Sequence, residues 1–300
     1  RPLGAAKPAR PPADAMRSLC RCRAVIFDLD DTLVPTSKID RAAILHAAAL
    51  ASGDELPAVV AARFSELLKA EPFPPEPSGL DVPAWRTGLW ERALSGSSSD
   101  GRAGASPAAR QAYEAWSSER LSSFRFADDV DAMVRRLQSA GYKTGVLTNG
   151  HADVQRAKTA ACGAGSLFGE ERVIIAGAGD ASTATVARAR PLMGGCGPLG
   201  EHAEQKPHAS IFRVACAALG EPDGSATLMV GDSYAADVAG GINASLLATV
   251  WVRPPLEPPE TGAQGSLMHG HLSAVPAGQP SPTFTVESVL EVEACLEKIG

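Results

Sequence analysis

Short apolar runs alternate along the chain with longer stretches of helical spacing. Residues 23–29 read RAVIFDL, and the unbroken run Val25, Ile26, Phe27 ends in acids. An apolar run this short, followed at once by polar residues, predicts a strand buried on both faces. Residues 30–35 leave it as a turn. From Ser37 to about Phe126 the spacing becomes helical. Residues 39–51 are Ala-rich with Asp40 near the start, and residues 58–70 repeat apolar positions at Val59, Val60, Phe64, Leu67 and Leu68. Residues 85–94 and 108–121 continue the pattern. The proline-rich stretch 72–77 and the Ser/Gly-rich stretch 95–107 interrupt it as loops.

After residue 127 the two rhythms take turns. Helices are predicted at 130–140, with Asp128 or Asp129 as the cap, and at 152–161, 209–219, 235–242 and 286–299. Strands are predicted at 143–147, 173–176, 227–230 and 247–252, the last of these closing the core. Strands alternating with helices of this length imply βαβ units with right-handed crossovers. The fold class expected is α/β: a doubly wound, Rossmann-like parallel sheet formed by 23–36 and 127–300, with a helical insertion at 37–126. Residues 177–200 and 257–282 have little periodicity and are expected to be low-complexity surface insertions.

Composition narrows the class. The 300 residues are 45% apolar and 21% charged, as in an ordinary globular protein. The formal net charge of -6 gives no basic face or total for a nucleic acid, although a small anionic substrate is still accommodated by local charge. No stretch reaches the roughly 18 uninterrupted apolar residues of a membrane helix, so neither nucleic acid nor membrane is expected as a partner. The six cysteines are scattered without metal-ligand spacing, which predicts free thiols in a reducing compartment. Residues 1–22 carry Arg, Pro, Ala and Ser with one acid, Asp14. They read as a disordered tail, as a stretch ahead of a start at Met16, or as the end of an organelle transit peptide. The compartment expected is the cytoplasm, with an organelle as the alternative.

Ligands of an open parallel sheet bind outside the carboxyl ends of its strands. Four polar clusters fall at such ends or at helix starts: Asp28 to Thr32, Thr148-Asn149-Gly150, Lys206-Pro207, and Gly231-Asp232-Ser233 with Asp237. Asp28 and Asp30, two apart in an extended segment, share a side. The first can serve as a nucleophile that forms an acyl-phosphate, and the second as the acid and base for the leaving alcohol and for water. Asp232 adds a third carboxylate, and Asp28, Asp232 and the main-chain carbonyl of Asp30 make an oxygen set suited to Mg2+. Asp237, one helical turn on, is placed to orient a water or a neighbouring side chain. Thr148 and Asn149 offer a hydroxyl and N–H groups to phosphoryl oxygens, Gly150 permits close approach, and Lys206 supplies a cation. Thr32 and Ser233 stand as supporting hydroxyls.

In this order and joint occurrence the motifs resemble the haloacid dehalogenase superfamily of phosphohydrolases. The resemblance implies an Asp28 nucleophile, an Asp30 acid/base, a phosphate-binding Thr148, Lys206, and a magnesium-binding Asp232. It also implies that the helical insertion is a cap that excludes water during transfer. Because Asp30 is present, phosphoryl transfer is expected rather than carbon–halogen cleavage. A closer similarity, to phosphatases of the N-acylneuraminate-9-phosphatase type, is carried by Val146 to Gly150, Lys206-Pro207 with Ser210 to Phe212, Val230 to Asp232 with Gly240 to Ala244, and Ala248 to Val252. Trp116 with Arg120-Leu121 and Val286 to Glu291 extend it. Asp31 departs from it, standing where relatives often have Asn. The substrate so implied is a small phosphorylated metabolite, most simply a sugar phosphate. A nucleotide or phosphoglycolate, transfer to a second sugar, or a non-catalytic regulator of the same fold are the alternatives.

Overall fold

The computed structural model describes residues 21–71, 79–96, 105–177, 204–221, 223–254, 272 and 274–300. The expected tail at 1–22, the proline break at 72–77, the loop at 95–107 and the insertions at 177–200 and 257–282 therefore lie wholly or mostly outside the described residues.

The described strands form one sheet: β1 (Ala24–Phe27), β2 (Lys143–Asn149), β3 (Val173–Ala176), β4 (Thr227–Gly231), β5 (Ala248–Val252) and β6 (Phe284–Val286). Their order is β3-β2-β1-β4-β5-β6, and every pair is parallel. This is the α/β fold expected. Side chains alternate across a strand, so β1 feeds two cores. Val25 and Phe27 pack with Val146, Leu228, Val230 and Val250 on one face. Ala24 and Ile26 pack with Leu147, Ile174 and Met229 on the other. The first face is covered by α5 (Asp128–Ser139) and α10 (Val292–Ile299), the second by α8 (Ala209–Ala218).

Between β1 and α5 lie α1 (Thr36–Ala51), α2 (Pro57–Ala70), α3 (Val82–Ser95) and α4 (Pro107–Ser123). These four helices enclose a cluster of their own. Phe64 stacks on Trp90 with centroids 3.8 Å apart and meets Trp116 edge-on at 5.2 Å. Such pairs add about 0.5–1.5 kcal/mol each beyond area burial. A buried ion pair, Asp40 to Arg120 at 2.5 Å, ties α1 to α4. α4 in turn packs on α6 (Ala152–Ala161). Among the described residues no helix is long and apolar enough to cross a membrane.

Several local expectations shift. Residues 247–252 do not form the last strand: β6 follows, pairing with β5 from Val250–Phe284 to Val252–Val286. The predicted helix 286–299 therefore begins later. Ser288 and Glu291 build a capping box on a short 3-10 turn ahead of α10. A three-residue strand has no period to read, and the cap is what halts the extended segment. Asp128 and Asp129 do not cap α5; Ala127 precedes it, and the Asp129 carboxylate accepts from the Val130 N–H at 2.8 Å. Both acids sit inside the first turn, where the helix dipole favours them. Residues 235–242 divide into a π turn, Tyr234–Ala239, and a single α turn, α9 (Gly240–Asn243). The short helix α7 (Ala164–Phe168) was not foreseen. Cys22, Cys162, Cys216 and Cys295 are free thiols.

Candidate active site

The strand order reverses between β1 and β4, and at such a switch point a crevice opens outside the carboxyl ends. Phe27 pairs with Val146 on β2 and Val230 on β4. Asp28 thus leaves β1 beside the end of β4, its N–H bonded to the Val230 carbonyl at 2.9 Å. Asp232 follows β4 directly, its carbonyl accepting from the Trp251 indole N–H at 2.8 Å. Asp237 rides on the π turn, a form of helix common at functional sites. Ligand oxygens of Asp28, Asp232 and Asp237 all lie within 4.8 Å of one another.

Lys206 reaches into this group from the turn before α8. Its Nζ donates to Asp28 Oδ1 at 2.6 Å and to Asp237 Oδ1 at 2.7 Å. Asn149 fixes the backbone that carries it, accepting from the Lys206 N–H and donating to the Lys206 carbonyl, both at 2.9 Å. The Asn149 side chain therefore places the lysine. Asp237 resolves the same way: the group it orients is the neighbouring Lys206, and its second oxygen accepts from the Ser233 N–H at 3.0 Å. Gly231 is required here, since a Cβ on it would stand 2.2 Å from Asp237 Oδ2. Ser233 caps the π turn through the Ala236 N–H at 3.2 Å. Thr32 Oγ1 accepts from the Asp232 N–H at 3.0 Å and donates to its carboxylate at 3.5 Å.

Three buried carboxylates face one buried ammonium, and the charges register the excess. Burial, then Asp237 and Asp30, push the Asp28 carboxyl up against the pull of Lys206. Burial, then Asp28 and Asp237, push Asp232 up further. Against burial, Asp237 and Asp28 hold the Lys206 ammonium well above its usual range. A buried group of hard oxygen donors with surplus negative charge fits a small divalent cation. Asp237 is taken up by Lys206 and the Ser233 N–H, and Asp28 and Asp232 complete the acidic group beside it.

Asp30 faces a different set of partners. Its Oδ1 accepts from Thr36 Oγ1 at 2.7 Å and Lys158 Nζ at 2.6 Å, and its Oδ2 from Gln155 Nε2 at 2.8 Å. Burial alone would raise its carboxyl, but Lys158 and these hydrogen bonds hold it well below the usual carboxylate range. Gln155 also reaches the Thr148 hydroxyl at 3.2 Å, and a Cβ on Gly150, whose φ is 143°, would press within 2.8 Å of the Gln155 amide. Asp31 adopts φ 57°, a left-handed conformation that Asn and Asp tolerate through local hydrogen bonds. Its carboxylate accepts from the Ser37 N–H at 2.7 Å, so Asp serves where Asn would.

All ten candidate residues read from the sequence gather at this rim. Gln155, Lys158 and Thr36 were missed. Gln155 and Lys158 are three apart on α6 and so share a face. That face is buried and polar while the rest of the helix is Ala-rich. A polar pair at helical spacing just after Thr148-Asn149-Gly150 was the available signal.

A model of haloacid dehalogenase-like hydrolases matches residues 22–245, and a second, for HAD-hydrolase-like proteins, matches 204–291. The chain is 32% identical to N-acylneuraminate-9-phosphatase of Mus musculus over 94% of this chain and 96% of that protein. It is 31% identical to the Homo sapiens protein of the same name over the same shares. In fold it is similar to the HAD-hydrolase YfnB of Bacillus subtilis bound to magnesium, with TM-score 0.56 and 18% identity over 92% of this chain and 99% of that one. With a matching family model across most of its length and the site geometry to go with it, the chain belongs to the haloacid dehalogenase-like hydrolases.

Proposed function

We propose that the protein is a magnesium-dependent phosphatase that hydrolyses a small phosphomonoester through an aspartyl-phosphate on Asp28. The observation that carries this reading is the placement of Lys206 between Asp28 and Asp237, with Asp232 within 4.8 Å of both. A nucleophilic carboxylate needs a flanking cation to approach a phosphoryl dianion, and Lys206 is already seated there. Asp28, Asp232 and the Asp30 carbonyl would hold Mg2+. When bound, the ion neutralises phosphoryl charge and aligns the phosphorus with the attacking oxygen.

The chain's own residues divide the reaction into two halves. An Asp28 carboxylate oxygen bonds to phosphorus as the ester P–O bond breaks. As the alkoxide leaves it takes a proton from the Asp30 carboxyl, which carries the proton regained from water in the preceding turnover. Water then attacks the phosphorus of the acyl-phosphate and gives its proton to the Asp30 carboxylate. The P–O bond to Asp28 breaks, inorganic phosphate departs and the nucleophile is restored. Thr148 Oγ1 and backbone N–H groups around Asn149 and Gly150 support the phosphoryl oxygens. Thr32 and Ser233 brace Asp232 and Asp237. The helices between residues 37 and 126 act as the cap over a core of 23–36 and 127–300, closing to exclude water.

An acylneuraminate 9-phosphate is the substrate best supported, because similarity to phosphatases named for it runs through 94% of the chain. Similarity to a pyrimidine 5'-nucleotidase of Escherichia coli covers only 31%. The test is phosphate release from N-acetylneuraminate 9-phosphate, nucleoside monophosphates, phosphoglycolate and phosphoserine, each with and without Mg2+. The expected result is the highest kcat/KM on the acylneuraminate ester and loss of turnover in chelator. A higher value on a nucleotide, or turnover indifferent to chelation, would overturn the proposal.

A further inference from the structure

Trp251 lies outside the residues to which the reaction assigns a part, yet it is bonded to one of them. β4 ends at Gly231, in register with Trp251 on β5. Asp232 is the first residue beyond that strand, and side chains hold its peptide groups. Its N–H donates to the Thr32 hydroxyl at 3.0 Å, and its carbonyl accepts from the Trp251 indole N–H at 2.8 Å. Thr32 follows β1 and Trp251 belongs to β5, so the grip comes from the strands on either side of β4. Peptide groups are planar, with two soft dihedrals per residue. Fixing the peptide on both sides of Asp232 therefore sets the direction of its Cα–Cβ bond and the approach of its carboxylate to Asp28.

The indole is fully buried and clamped in turn. The Tyr234 ring meets it edge-on at 5.4 Å, and the Arg253 guanidinium lies 4.7 Å over it. Tyr234 is anchored by its hydroxyl, which donates to the Pro280 carbonyl at 2.6 Å. Packing of this kind asks only for an aromatic ring. Burial alone does not dictate a partner for the N–H either: the buried indoles of the four-helix insertion, Trp90 and Trp116, have no hydrogen-bond partner for Nε1 among the described residues.

We infer that Trp251 is a positioning residue for the metal site: its indole N–H holds the Asp232 peptide so that the carboxylate is preset, beside Asp28, to receive Mg2+. This rests on the metal-dependent reading above. Groups that orient a metal ligand from behind are worth about 10–100-fold in metal affinity or activity. A hydrogen bond that merely satisfied a buried donor would add to stability and leave the affinity for metal alone.

The experiment is a calorimetric titration of the full-length, metal-free protein with Mg2+. Trp251→Phe keeps an aromatic ring and loses the N–H, and its Kd for Mg2+ is expected to rise about tenfold or more. The Mg2+ concentration for half-maximal phosphate release, on the panel phosphomonoester turned over fastest, should rise by the same factor. Most of kcat should return once Mg2+ saturates. Tyr234→Phe is the matched control: it takes the hydroxyl from Pro280 in the same cluster without touching Asp232. It is expected to lower Tm and leave Kd at the wild-type value. Benzothienylalanine at position 251, which puts sulfur in place of the indole N–H at nearly the same shape, should lose affinity as the Phe variant does. It carries the test if the Phe variant does not fold. Wild-type affinity in the folded variants at position 251, or an equal loss in Tyr234→Phe, would overturn the inference. Wild-type protein that takes up no Mg2+ would overturn the metal-dependent reading itself.

Discussion

Each charged residue of the site is held in place by another. Asn149 spends its side-chain amide on the backbone of Lys206, and Lys206 spends its ammonium on Asp28 and Asp237. The excess of carboxylates has a consequence for metal and pH together. Burial first, then neighbouring acids, push Asp28 up to about 7 and Asp232 up to about 9. An unfolded aspartate titrates near about 4. Between these values the folded protein keeps protons that the unfolded chain has lost, so the metal-free protein loses stability as pH rises through that window. A divalent cation displaces those protons and relieves the repulsion. The gain in Tm from millimolar Mg2+, measured by calorimetry, should therefore be larger near about pH 8 than near about pH 5, because the ligand stabilises only what it binds. An equal or smaller gain at the higher pH would count against metal binding at these carboxylates. Asp28, Asp30, Asp232 and Lys206 were legible in the sequence because each polar residue breaks off an apolar strand or opens a helix. Lys158 and Gln155 were not, because in an Ala-rich helix a lysine and a glutamine read as solvent-facing. Only the fold reveals that their face of α6 turns toward Asp30.

At the level of elements, the four-helix insertion is joined to the rest through α4 and α6, and inside it the Asp40–Arg120 pair bridges α1 and α4 with both side chains 4% exposed. The Arg120 guanidinium also lies 5.5 Å above the Trp116 ring. Substituting one partner of such a pair strands the other charge in a low-dielectric interior. Arg120→Met should therefore destabilise the protein by about 3–5 kcal/mol, read from the midpoint of urea unfolding. A change below about 1 kcal/mol would mean that water reaches Asp40. Helix positions here were readable to within a few residues because their apolar spacing is sustained over three or more turns. The elements that escaped, α7 and β6, are five and three residues long. Over so few residues neither the helical nor the strand period completes enough cycles to be distinguished. Residues 128 and 129 misled for a related reason: adjacent acids favour the first turn as well as the cap, and only backbone geometry separates the two.

For the whole molecule, the sheet order β3-β2-β1-β4-β5-β6 places the switch point between β1 and β4. That one topological fact brings residues some two hundred positions apart into hydrogen-bonding range, as between Thr32 and Asp232. The sequence supplied the polar clusters and the sheet supplied their convergence. The measurement closest to the central claim is a rapid acid quench of the Mg2+-loaded enzyme during turnover of a phosphorus-labelled substrate, followed by peptide mapping. The expected outcome is transient, hydroxylamine-sensitive label on the peptide containing Asp28 in wild type. Asp28→Asn should show no label and a turnover lower by roughly a thousandfold or more, as for loss of other catalytic nucleophiles. Unlabelled wild-type enzyme under single-turnover conditions, or undiminished phosphate release by Asp28→Asn, would contradict the account.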